Sequence, residues 1–218
     1  MASSTIDSAT LRFFRSALLI WFNENGRRFV WRRRQASKYL MIVSETLLQR
    51  TRASTVEAFL PRFLDRFPGW SQLASAPLAQ IEEALRPIGL SHRRACTLQG
   101  LGRALAHRNG RFPRRRADID QLPGVGQYIG NAIELFCHEE ARPLLDAGMA
   151  RLLERFFHPR ELIDIRYDPF LQQLAKRIVR CAKPRQLNWA MLDYAALVCT
   201  RTRPSCSSCV LSRRCRAA

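Results

Sequence analysis

Four cysteines near the end of the chain carry the clearest chemistry. Cys199, Cys206, Cys209 and Cys215 stand in the spacing C-x6-C-x2-C-x5-C. Thiolates at that density can close on one soft metal centre. A structural zinc site normally uses two C-x2-C knuckles separated by a longer loop, and only Cys206 and Cys209 have that spacing. The set therefore fits the ligands of a cubane [4Fe-4S] cluster, with zinc as the alternative. Seven cysteines is an odd number and no secretory segment is expected ahead of them, which argues against a disulfide framework. Cys96, Cys137 and Cys181, in apolar helix-like surroundings, are expected to be buried small hydrophobes.

A second element is Asp120-Gln-Leu122-Pro123-Gly124-Val125-Gly126-Gln-Tyr128-Ile129-Gly130. Glycines two apart allow a tight turn whose amide N–H groups come close to a ligand. A helix starting just after them turns its positive end the same way, so such a turn can hold a phosphate without any side chain. Turns of this composition also join helices in ordinary proteins, and that structural use stays open.

Two carboxylates are placed for chemistry. Asp146 follows the apolar run Pro143-Leu144-Leu145 and opens a helical pattern beginning near Met149, the position of an N-cap. Glu45 lies in the apolar segment Tyr39-Leu-Met-Ile-Val-Ser-Glu45-Thr-Leu-Leu-Gln49-Arg50-Thr51. Lys38, Glu45, Gln49 and Arg52 recur at helical spacing and could instead form a solvated stripe.

The elements that must position these residues are helices, because alternating strand-like patterns are nearly absent. Leu11, Phe14, Leu18 and Trp21 recur at helical spacing, as do Val56, Phe59, Leu60 and Phe63, and Leu174, Ile178 and Val179. The fold class is all-α. Breaks are expected at Pro61, Pro68-Gly69, Pro87, Asn109-Gly110, Pro113 and Pro123-Gly124, and His158 to Pro169 is expected to be a loop. With 47% apolar residues the chain can build a normal core. Thirty-six Lys plus Arg against eighteen Asp plus Glu give a formal charge of +18, mostly arginine, which points to a polyanion. Apolar stretches reach only about a dozen residues, short of a membrane span. A soluble, intracellular protein is expected, cytoplasmic and associated with the nucleoid.

Leu122-Pro-Gly-Val-Gly126, an Asp about twenty residues later and the cysteine tail together resemble the helix–hairpin–helix DNA glycosylases of the endonuclease III type, over Phe29 to Cys215. The resemblance implies two lobes with double-stranded DNA bound between them. One is a six-helix barrel over 23–140. The other, from 1–22 and 141–218, is a cluster domain with its [4Fe-4S] loop at 199–215. It implies that Asp146 is the fixed anion stabilising positive charge on the deoxyribose, and that Glu45 is the acid helping the base leave, burial raising its pKa. Ser44-Glu45-Thr-Leu-Leu-Gln-Arg-Thr51 is similar to the segment supplying that glutamate in the adenine-mismatch and thymine-mismatch branches. Tyr128 stands where members that also cut the backbone carry a lysine, so hydrolysis alone is expected. Gln49 and Leu90 match residues that fill the hole left by an extruded base; for Leu90 a core position is the alternative. Arg50, Leu122, Gly124 and Gly126 are expected at the DNA with them.

A monomeric enzyme acting on a mismatched or damaged base follows, closest to thymine or uracil opposite guanine. The chain ends three residues after Cys215, and no room is expected for the further domain with which the adenine branch inspects the opposite base. Ile129 and Gly148 depart from the family pattern, the first narrowing the pocket and the second removing an amide that holds strand or sugar. Adenine removal opposite guanine or 8-oxoguanine is the enzymatic alternative. A non-catalytic DNA-binding or redox-sensing cluster protein is the alternative of another class.

Overall fold

The computed structural model describes residues 6–218, which form eleven α-helices and no strand. Residues 1–5, part of the expected cluster domain, lie outside the described residues. The chain divides into two compact units, one from its start to Arg27 joined by Glu140–Ala218, the other Arg28–Glu139. No described helix is long and apolar enough to cross a membrane.

The Arg28–Glu139 unit contains α2 (Lys38–Leu48), α3 (Ala53–Arg66), α4 (Trp70–Ser75), α5 (Leu78–Leu85), α6 (Ser91–Ala106), α7 (Arg116–Asp120) and α8 (Gln127–Cys137). Ser37 starts α2 by accepting from the Leu40 N–H, and every residue from Met41 to Leu47 is buried. A helix covered on all sides must be central, and α2 lies against α3, α6 and α8. On α6, Gly102 allows close approach of α4, because a Cβ there would stand 2.8 Å from the Ala74 nitrogen and 2.9 Å from the Trp70 carbonyl. The expected break at Pro61 is wrong: α3 runs through it. Pro61 is exposed while Val56, Leu60 and Phe63 are buried on the other face, so packing holds a helix that propensity alone would interrupt. Cys96 is also corrected, being exposed on the outer face of α6, whereas Cys137 is buried and Cys181 half-buried.

The other unit contains α1 (Ser8–Asn25), α9 (Ala147–Phe156), α10 (Pro169–Val179) and α11 (Pro184–Leu197). Asp7 caps α1, and Phe14 on that helix meets the rings of Phe156 and Phe157. Trp21 sets its ring edge-on to Tyr194 of α11. The fully buried Asp193 accepts from both the backbone and the guanidinium of Arg27, closing the end of α1 onto α11.

The segment from His158 to Asp168 is non-helical, as its charges and proline suggest, and one buried carboxylate organises it. Asp168 accepts from the N–H groups of Glu161, Leu162 and Leu171 at 2.7–2.8 Å, so it both folds the loop and caps α10. Burial works to raise its carboxyl, but the N–H donors and Arg160 outweigh burial and hold it below the ordinary carboxylate range. A depressed folded-state pKa stabilises the fold above the unfolded value of about 3.9 and is lost as pH falls through the folded one. Asp168→Ala is expected to cost about 2–4 kcal/mol in urea unfolding and to flatten the acid limb of the stability curve.

Candidate active site

Glu45 sits in the middle of α2 and is 3% exposed. Its neighbours Ser44 and Thr46 turn their hydroxyls back onto the Leu40 and Ile42 carbonyls. A partner for the carboxyl comes from another helix: Tyr128, in the first turn of α8, donates its hydroxyl to Glu45 Oε2 at 2.9 Å. Two expected site residues 83 positions apart are thereby joined. Burial excludes the solvated-stripe reading. Lys38 instead donates to the Cys137 carbonyl at 3.0 Å, while Gln49 and Arg52 are exposed.

The glycine turn joins α7 to α8. Arg116 pins the two helices, donating to Asp120, to Asn131 and to Glu134 at 2.7–2.8 Å. In the sequence Arg116 looks like part of a solvated basic run, since Asn131 and Glu134 reach it only when α8 folds back. Leu122 is 8% exposed and anchors the turn, and the Val125 N–H returns to its carbonyl. Gly124 has φ +70°, and a Cβ there would lie 2.4 Å from Thr97 Oγ1 of α6. Pro123 packs likewise over Gly100, where a Cβ would come within 2.6 Å. Gly126, at φ −93°, has open space around it. Ile129 is 1% exposed and packs inward.

Gln49 and Arg50 end α2, and Leu90 precedes α6. Arg50 and Leu90 both hold left-handed conformations, φ +60° and +50°, which residues with a Cβ rarely adopt without a functional or structural reason. Leu90 is 46% exposed, which excludes the core reading. These residues surround one cavity of about 130 Å³, with Thr46, Thr97 and Gly124 also on its wall.

In the other unit Asp146 caps α9, its Oδ1 accepting from the Met149 N–H at 2.6 Å. The residue is exposed, yet the protein massed around it disfavours its charged form and raises the carboxyl above the ordinary range. The N–H groups of Met149 and Gly148 and the charge of Arg151 oppose that rise. A Cβ on Gly148 would stand 3.3 Å from Asp146 Oδ1, so a larger residue there would press on this carboxyl.

Cys199, Cys206, Cys209 and Cys215 line a single cavity of about 200 Å³. Tyr194 donates to the Cys209 sulfur at 3.0 Å and Arg155 to the Cys199 sulfur at 3.4 Å, donors suited to thiolates. Among the described residues no three His, Cys, Asp or Glu side chains are grouped to hold a single metal ion. Four thiols spread around one cavity match a multinuclear cluster, which takes one thiolate at each of several irons, better than a lone ion. Arg201, Arg203, Arg213 and Arg214 are exposed beside them.

Residues 43–184 match the model of the HhH-GPD superfamily base excision DNA repair proteins. The chain belongs to the HhH-GPD superfamily. It is 33% identical over 205 residues to the thymine/uracil-DNA glycosylase of Pyrobaculum aerophilum, spanning 91% of this chain and 88% of that one. A solved thermostable thymine-DNA glycosylase superposes with a TM-score of 0.87 at 29% identity, covering 96% of both chains. The adenine DNA glycosylase of Homo sapiens is 31% identical over 226 residues, which cover 97% of this chain and 40% of that protein.

In this HhH-GPD chain the hairpin depends on one glycine more than the other. Gly124→Ala combines a strained φ with a clash against α6 and is expected to cost about 1–3 kcal/mol and to weaken binding to undamaged duplex. Gly126→Ala meets neither obstacle and is expected to fold as the parent does. Thermal unfolding of the two variants, with duplex binding at two salt concentrations, checks the contrast.

Proposed function

We propose that this DNA glycosylase removes thymine or uracil paired with guanine, and does so by hydrolysis without cutting the backbone. The hydrogen bond from Tyr128 to Glu45 carries the reading. It puts a phenol at the hairpin position where a nucleophilic amine would be required, and fixes the rotamer of a buried carboxyl suited to proton transfer. The similarity to thymine/uracil-DNA glycosylases along nearly the full length of both chains supports the pyrimidine substrate.

In this mechanism the base leaves from the sugar as positive charge develops on the deoxyribose. Asp146 supplies the opposing charge and orients water, its carboxyl kept in place by the Met149 N–H. Glu45 assists the departing base, and Tyr128 holds Glu45 and lines the base pocket. Ile129 narrows that pocket. Gln49 and Leu90 fill the vacated stack, and Arg50, Leu122, Gly124 and Gly126 hold the strand. The chain has only three lysines. Lys38 donates to a backbone carbonyl, and the hairpin position itself holds Tyr128. The protein acts as a monomer.

The domain assignment follows the same reading, with 23–140 the barrel and 141–218 with the chain's start the cluster domain. Cys199, Cys206, Cys209 and Cys215 would hold a [4Fe-4S] cluster, whose contribution is to tie the 199–215 loop into a compact DNA-facing element. Anaerobically purified protein is expected to be brown and to contain iron and inorganic sulfide. Colourless protein with one zinc per chain overturns that assignment.

The deciding measurement is single-turnover excision on identical duplexes carrying T·G, U·G, A·G and A·8-oxoguanine, with borohydride present in a parallel series. Release of either pyrimidine ahead of adenine and no trapped adduct are expected. Faster adenine release moves the protein to the adenine reading, and trapping refutes hydrolysis alone. Asp146→Asn and Glu45→Gln should each slow excision by about 3–4 kcal/mol in barrier while leaving duplex affinity intact. Because the protein massed around Asp146 raises its carboxyl, and the reaction needs it ionised, the acid limb of the rate profile should lie above the free-aspartate value of about 3.9.

A further inference from the structure

Arg94 is 4% exposed and points its guanidinium along α6 at two loops rather than at solvent. Nη1 donates to the carbonyls of Ile88 and Gly89 at 2.8 and 2.6 Å. Nη2 donates to the carbonyls of Leu47 and Gln49 at 3.0 and 2.7 Å and to Thr51 Oγ1 at 2.5 Å. All five acceptors are neutral. Nε, also buried, makes no hydrogen bond among the described residues. A buried cation with no carboxylate against it is an expensive way to add stability, and its fork geometry is what distinguishes it from a lysine. One nitrogen serves the loop that ends in Leu90, the other the loop that carries Gln49 and Arg50. Both loops contain left-handed residues: Arg50 in one, Gly89 at φ +74° and Leu90 in the other. Carbonyls in such turns have no helical or strand partner, and here the same side chain supplies it to both.

We propose that Arg94 is a positioning residue that locks the Gln49–Arg50 loop and the Leu90 loop into one rigid unit, so that the two side chains enter the DNA stack together. The inference rests on the reading of Gln49 and Leu90 as the residues that replace the extruded base. Arg93, next in sequence and exposed, remains available to the strand, while Arg94 acts only through the loops. The cavity of about 130 Å³ between them is the space that this bridging keeps open.

The test compares Arg94→Met, which removes the fork, with Arg94→Lys, which keeps the charge but offers donors from a single nitrogen that cannot span both loops. Amide hydrogen exchange is followed in the free protein. Stack opening is followed by fluorescence of 2-aminopurine placed beside uracil in a U·G duplex, in an Asp146→Asn background that prevents turnover. In Arg94→Lys, exchange should rise in 48–51 and 86–90 together and stay unchanged elsewhere. The fluorescence rise on binding should fall by about tenfold, with affinity for undamaged duplex changed by no more than about twofold. Gln49→Ala and Leu90→Ala, run alongside, should each lose the fluorescence rise without the change in exchange. Exchange that stays as in the parent in either loop, or that rises throughout α2 to α8, overturns the proposal. Raised exchange confined to the loops, with a full fluorescence rise in both alanine variants, overturns the reading of Gln49 and Leu90 and the proposed role with it. If Arg94→Met does not fold, the lysine variant alone decides.

Discussion

Guanidinium groups closing the ends of helices are the interaction on which the rest of this structure depends. A helix leaves its last carbonyls unpaired and its C-terminus partly negative, so a planar cation with several parallel donors satisfies both demands at once. Arg94 does this for α2. Arg15 reaches from α1 to the Arg177 and Ile178 carbonyls at the end of α10. Arg151 and Arg155, both on α9, take the carbonyls of Ala195, Cys199, Thr200 and Arg201 where α11 gives way to the cysteine loop. Each cap binds a segment far away in sequence, so these contacts set where loops leave helices as well as how helices end.

That use of arginine changes the meaning of the chain's composition. A charge of +18 is sound evidence for a polyanionic partner, and exposed arginines around the cysteines are in keeping with it. Lysine would serve phosphates nearly as well as a point charge, yet the chain has only three. At Arg15, Arg94, Arg151 and Arg155 the fold itself asks for arginine, because one side chain there reaches two or more carbonyls. Arg116 shows the same demand with acidic partners, spanning Asp120, Asn131 and Glu134 to fix the hairpin.

The all-helical fold and the hairpin could be read from the chain because each is a local pattern, apolar residues at helical spacing and glycines two apart. The spacing around Glu45 left a solvated stripe open, and only the resemblance pointed to its burial. Pro61 misled because propensity is local while the burial of Val56, Leu60 and Phe63, which overrides it, is not. Cys96 misled for the converse reason, since apolar neighbours in sequence do not tell which face of α6 looks outward. Arg94 carried no readable signal, and neither did the loop-folding role of Asp168. Thr51 is 43 residues from Arg94, and the N–H groups that Asp168 gathers belong to backbone, which has no sequence signature.

Asp146 caps α9 and is also the residue proposed to carry the chemistry, and the influences on its carboxyl pull in opposite directions. As an N-cap the carboxylate is favoured by the N–H groups at the head of α9, which stabilise its charge. As a group crowded by protein it is disfavoured in that same charged form, and crowding dominates. A raised carboxyl pKa means that ionising Asp146 near neutral pH works against folding, so an asparagine, which can cap without a charge, should fold at least as stably. Arg151 stands between these effects. Its charge eases the ionisation of Asp146, and its donors are the ones spent on Ala195 and Cys199. The cation that steadies the carboxylate is therefore held in place by the end of α11 and the first residue of the cysteine loop. On the proposed mechanism the loop bears on hydrolysis without touching a nucleotide, because it helps to place the positive charge that favours ionisation of Asp146.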